Sequence, residues 1–159
     1  MKRIAVSVMT PLAVIVFAVM VGEGGDSGGP INLAYGRTEM NESDERAFAM
    51  KMFAERPELF PEERRQAILD GRVTLGMTPY EAKLAGGAFA FRVIADKTRW
   101  PAGADPLKVM WRQSIEADDS EIWMTFKNAR QFSGSGERVF RVHFRGGKAL
   151  EIEIVEQKK

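Results

Sequence analysis

Residues 138–155 read RVFRVHFRGGKALEIEIV, and this stretch decides the fold. Apolar and charged residues alternate on both sides of Gly146-Gly147, the period-two pattern of paired strands that each bury one face. With Arg145-Gly146-Gly147 as a three-residue loop and Gly147 left-handed, Phe140 falls opposite Ile152, Val142 opposite Leu150 and Arg141 opposite Glu151. A two-residue loop in unbroken register sets Val142 against Glu151, so side-chain phase selects the longer loop. One face of this hairpin is apolar and wants a covering layer. The other carries His143 between Arg141 and Arg145 and stays wet.

Working backwards, strand-like runs appear at 121–127, 108–116 and 89–95. Before them the period becomes helical. Thr78-Pro79-Tyr80-Glu81 is a capping box: the Thr78 hydroxyl accepts from the Glu81 amide, and the Glu81 carboxylate accepts from that of Thr78. The helix it opens runs to about Ala85 and ends at Gly86-Gly87. Upstream, Pro61, Glu62 and Glu63 open a helix whose apolar side is Ala67, Ile68 and Leu69, with Gly71 as left-handed cap. A further helix at about 42–55 places Phe48 and Met52 on one face, with Asn41 as cap and Pro57 beyond its end. Helices first and strands second imply α+β: two or three short helices packed on a three- to five-stranded antiparallel sheet, a two-layer sandwich.

The chain has 159 residues, 45% hydrophobic and 28% charged, which suffices for one folded domain and excludes a large multidomain enzyme. Its formal net charge of +1 supplies no field for nucleic acid. With no cysteine there are no disulfides, thiolate metal sites, cysteine nucleophiles or lipid-accepting cysteine. One histidine, His143, leaves little for histidine-dependent catalysis, and no cofactor or metal is expected.

At the other end, Met1-Lys2-Arg3 precedes an uncharged run over 4–21, IAVSVMTPLAVIVFAVMV, with Glu23 and Asp26 just after it. Basic residues before an apolar run form a secretory pattern, and its polarity puts the N-terminus in the cytoplasm and the remainder outside. As a helix the run reaches roughly 27 Å, just short of the roughly 30 Å hydrocarbon layer, so 1–22 reads as a signal peptide or a signal anchor. Residues 23–36 form a glycine-rich tether. It contains Gly25-Asp26-Ser27-Gly28-Gly29-Pro30, the text around the nucleophile of trypsin-like proteases. That chemistry needs a histidine and an aspartate ahead of the serine and two barrels to assemble them, whereas no histidine precedes Ser27. Residues 37–57 carry the accessory helix, and 58–159 the α+β domain.

Few residues invite a chemical role. His143 lies on a charged strand face. Glu116, Asp118, Asp119 and Glu121 are dense, yet their spacing suits a polar turn better than two converging carboxylates or a cation site. Trp100 in the loop 96–106 and Phe132 in the loop 128–137 are aromatics of the kind enriched in contact surfaces, and are the candidate partner-binding residues.

Residues 68–87, ILDGRVTLGMTPYEAKLAGG, resemble the SmpA/OmlA family of small BamE-like envelope proteins through Gly71, Val73, Gly76, Met77, Thr78, Glu81 and Gly87. Trp111, taken in the first long strand, and the final hairpin with Gly147 extend the similarity over about 62–156. Gly86 and Ala88 replace the Leu and Pro usual around the helix-ending glycine, and the lipidation cysteine is absent. The resemblance implies a non-enzymatic protein on the periplasmic side of the envelope, whose partners are envelope proteins, outer-membrane barrel assembly components among them. It reaches the membrane through 1–22 if that segment is uncleaved. The family's fold is also similar to that of β-lactamase inhibitor proteins, so an exported inhibitor or ligand-binding module using the aromatic loops is the alternative.

Overall fold

The computed structural model describes residues 31–34 and 42–155, apart from 89 and 135; for 31–34 and residue 42 it gives the backbone path. The apolar run 4–21, the protease-like text and Asn41 lie outside the described residues. The order is β1 (Ile31–Ala34), α1 (Glu42–Glu55), a 3-10 turn (Pro57–Leu59), α2 (Glu62–Leu69), α3 (Pro79–Gly86), β2 (Ala90–Ile94), α4 (Pro106–Gln113), β3 (Glu121–Asn128), β4 (Arg138–Arg145) and β5 (Lys148–Ile154). The strands form one antiparallel sheet in chain order, β1 to β5, giving the expected α+β architecture.

Local chemistry explains the elements foreseen. The Thr78 hydroxyl accepts from the Glu81 amide at 3.3 Å, and the Thr78 amide donates to Glu81 Oε2 at 2.7 Å. Gly87, at φ 60°, ends α3 in the left-handed conformation, and Gly71 takes φ 68° after α2. The helices cover one sheet face, where Phe91, Ile122, Met124, Phe126, Phe140, Val142 and Phe144 interlock with Phe60, Met77, Ala82 and Val109. α1 joins this core through Ala49 and Phe53, whose ring meets Phe60 at 5.3 Å, and Arg130 donates to Glu45 at 2.7 Å.

Three readings change. The run 108–116 is not a strand, because α4 occupies it. Asp105 accepts from the Leu107 amide at 3.0 Å, Pro106 takes the first turn, and Val109, Met110 and Gln113 face inward at helical spacing. Trp111 therefore sits on a helix, edge-on to Tyr80 with ring centroids 4.4 Å apart, and that part of the family likeness does not carry over. Residues 31–34, which show no period and fall within the tether expected over 23–36, instead form β1 against β2. The final hairpin is shifted by two residues: Phe140 faces Ile154, Arg141 faces Glu153 and Val142 faces Ile152. The loop is the two-residue Gly146-Gly147, both with positive φ, and a register shift beside Phe144 restores the side-chain phase that an unbroken two-residue loop would lose. A bulge obtains what the longer loop was invoked to do.

Candidate functional site

The strand alternation that buries Phe91, Ile122, Met124 and Val142 sends Arg92, Glu121, Trp123, Thr125, Arg141 and His143 to the opposite face, which no described helix covers. Register aligns Arg92, Trp123, His143 and Glu151 in one row across four strands. The Trp123 and His143 rings stack with centroids 4.6 Å apart and planes 5° from parallel. From the β2 side the Arg92 guanidinium carbon lies 5.0 Å from the centre of the Trp123 ring. The indole is thus sandwiched between a cation and an imidazole, each contact contributing about 0.5–1.5 kcal/mol. Both π faces of the indole are therefore occupied.

Charges frame the row. Glu121 Oε2 is 3.6 Å from His143 Nε2 and Glu121 Oε1 is 4.0 Å from Arg145 Nε. The first distance exceeds a hydrogen bond, and Nε2 is buried with no hydrogen-bond partner among the described residues. Arg141 donates to Glu153 on the neighbouring strand. Such half-wet pairs stabilise by about 0–1 kcal/mol each, so their main effect is to fix side-chain positions.

The sequence-predicted partner residues are placed differently. Trp100 donates its indole N–H to Asp118 Oδ2 at 2.8 Å, and Phe132 lies edge-on to Phe140 at 5.6 Å. Both lean on the core rather than projecting from loop tips. They also sit at opposite ends of β3: the Trp100 loop leaves β2 after Ile94, the residue paired with Glu121, and the Phe132 loop leaves from Asn128. An eight-residue strand spans about 25 Å, so one compact ligand does not reach both.

The acidic cluster likewise disperses. Glu116 pairs with Arg99 and Arg112, and Glu121 turns to the open face. Asp118 ties the α4–β3 connection together, accepting from Trp100, from Gln113 Nε2 at 2.5 Å and from the Ser120 amide at 2.7 Å. Burial alone would raise the Asp118 pKa, and hydrogen bonds led by those from Ser120 outweigh it to hold the group below the usual aspartate value. No group of three or more potential metal-ligating side chains converges among the described residues.

The motif residues of 71–87 knit α2 to α3. Arg64 Nη1 donates to the Gly76 carbonyl at 2.6 Å and to Glu81 Oε2 at 2.9 Å, across a turn that Gly76 makes at φ 81°. Met77 is fully buried beneath it. Glu81 is buried as well, and its Oε1 has no hydrogen-bond partner among the described residues. Desolvation therefore outweighs the Thr78 and Arg64 contacts and raises the Glu81 pKa. Gly147, at φ 70°, seats the hairpin turn on α4, since a Cβ there would stand 2.5 Å from the Gln113 carbonyl oxygen.

The Arg92–Trp123–His143 stack is the feature sequence reasoning missed. Its signal was Trp123 itself, a large aromatic in the polar phase of a strand whose other phase is Ile122, Met124 and Phe126. No family model, curated protein or solved structure matches the chain.

Proposed function

We propose that this chain is an exported, non-enzymatic protein-binding module of the cell envelope that engages its partner with the helix-free face of its sheet. One observation carries the reading: Trp123 is held in place between Arg92 and His143 on that face. Tryptophan and arginine are the side chains that most often dominate protein interfaces. Ordering a free side chain on binding costs about 0.5–1.5 kcal/mol, and here the ordering is done by folding. Nucleobases and sugars stack on an open π face, which this indole does not offer, so a protein surface is the better fit. Export rests on Lys2, Arg3 and the apolar run 4–21, and an envelope partner, with barrel assembly components first among the candidates, rests on the resemblance carried by 68–87.

Site-specific photo-crosslinking of the full chain in cells tests this. A photoreactive residue at Thr125, on the open face, is expected to capture a discrete envelope protein. The same residue at exposed Glu63 on α2 is expected to capture none. Cross-links confined to Glu63, or lost equally from both positions, would count against the face.

A further inference from the structure

The outer margin of β5 has its own chemistry. Val155 donates its amide to the Val139 carbonyl at 2.9 Å, so in this antiparallel ladder the peptide groups of 151, 153 and 155 point to β4 and those of Ile152 and Ile154 point away from it. At the start of the strand the outward groups are already used. Gly76 donates to the Ala149 carbonyl at 2.9 Å, and Ala149 donates to that of Met77 at 2.8 Å. The chain itself thus caps this part of the edge with the turn at Gly76-Met77 and then enters α3. Among the described residues nothing pairs with the backbone of Ile152 or Ile154.

Natural edge strands are commonly blunted by lysine or proline, and residues 150–155, LEIEIV, contain neither. Leu150, Ile154 and Val155 are among the large apolar residues left exposed. The two sides of the free edge differ: Ile152 and Ile154 share the core phase with Phe140 and Val142, whereas Glu151 and Glu153 share the open face with His143 and Arg141. Glu151 lies opposite His143 but makes no ion pair among the described residues, whereas Glu153 is paired with Arg141. These acids also select the occupant. A second copy pairing antiparallel about Glu151, Ile152 or Glu153 sets glutamate opposite glutamate, which is destabilising.

We propose that the β5 edge at 150–155 receives an extended strand from a protein partner, in which apolar residues beside Ile152 and Ile154 alternate with basic residues beside Glu151 and Glu153. Backbone hydrogen bonds to Ile152 and Ile154 hold the strand, and the alternating side chains select it. This goes beyond the open-face reading by adding a second contact and the chemistry of what binds there, and it rests on that reading only for the chain being a binding module.

The test uses the full-length chain, isotope-labelled in mild detergent, with a synthetic peptide of alternating valine and lysine as probe. The expected result is selective perturbation and slowed hydrogen exchange of the Ile152 and Ile154 amides. A valine–glutamate peptide, or a valine–lysine peptide N-methylated along the pairing edge, is expected to bind about tenfold or more weakly. Ile154→Pro, which removes an outward N–H and spares the β4 ladder, is expected to weaken binding while leaving the β4 amide resonances in place; Ile154→Val is expected to retain it. Shifts elsewhere, equal binding of the acidic peptide, or retained binding by Ile154→Pro would overturn the proposal. So would a concentration-dependent homodimer that Ile154→Pro dissolves, which would make a second copy the occupant. Failure of the open-face cross-links with peptide binding intact would remove the proposed function and leave this edge standing.

Discussion

Asp118→Ala is expected to destabilise the fold by about 2–4 kcal/mol, although the residue is only partly buried. The carboxylate accepts from three donors, Trp100 Nε1 at 2.8 Å, Gln113 Nε2 at 2.5 Å and the Ser120 amide at 2.7 Å. Hydrogen bonds to a charged group contribute about 1.5–3 kcal/mol each when buried, and about 1 apiece is a fair discount for a site that water reaches. Gln113 and Ser120 are themselves 3% and 1% exposed, so their stranded donors cannot turn to solvent. The pH dependence follows from the depressed pKa. Folded Asp118 holds its proton less readily than the unfolded chain, so its charge-dependent stabilisation is complete above the ordinary aspartate value of 3.8 and fades as pH falls through the lower folded value. Urea unfolding followed by far-ultraviolet circular dichroism at pH 7 and near pH 3 measures both effects. The wild-type advantage should shrink at the acid end, and Trp100 emission should shift in the variant. A difference below about 1 kcal/mol at pH 7, or one that persists undiminished in acid, would refute the reasoning.

Three further outcomes are expected. Gly86→Ala places a Cβ 2.6 Å from Phe126 Cδ1 and 3.0 Å from Val73 Cγ2. Overpacking costs about 1–3 kcal/mol and the gain in helix propensity returns about 0.5–1, so denaturant melts should show a net loss of roughly 1–2 kcal/mol. Gly147→Ala meets both a left-handed φ of 70° and the Gln113 carbonyl, and should lower the thermal midpoint more than alanine at Gly146, where a Cβ meets nothing within 4 Å. For Glu81 the sign is opposite to Asp118: its raised pKa lets the folded state keep a proton that the unfolded chain has released. Wild-type stability relative to Glu81→Gln should therefore fall as pH rises from about 4.5, and a flat difference in paired urea melts would show that burial does not control this carboxyl.

What was legible in the sequence was local. Thr78 and Glu81 spell a cap three residues apart, Gly71 and Gly87 mark helix ends, and the strands 138–145 and 148–154 announce themselves by alternation. What failed involved two signals in competition or contacts distant along the chain. Val109, Trp111 and Ile115 alternate as a strand would, while Asp105-Pro106 writes a helix start; the cap and the inward packing of Met110 and Gln113 prevail. The hairpin register was missed because a bulge leaves no composition mark. β1 exists through its pairing to β2, some sixty residues on, and INLA alone has no period to show it. The Trp123 stack needs the registers of β2, β3 and β4 together, which no single segment contains.

The central claim is that the Arg92–Trp123–His143 face binds a protein, and Trp123→Ala measured against the partner captured through Thr125 tests it most directly. Removal of a hot-spot tryptophan costs about 2 kcal/mol or more, so the dissociation constant should rise about thirtyfold while the cooperative unfolding transition survives. An affinity unchanged within about threefold, with Trp123 gone and the fold intact, would contradict the account.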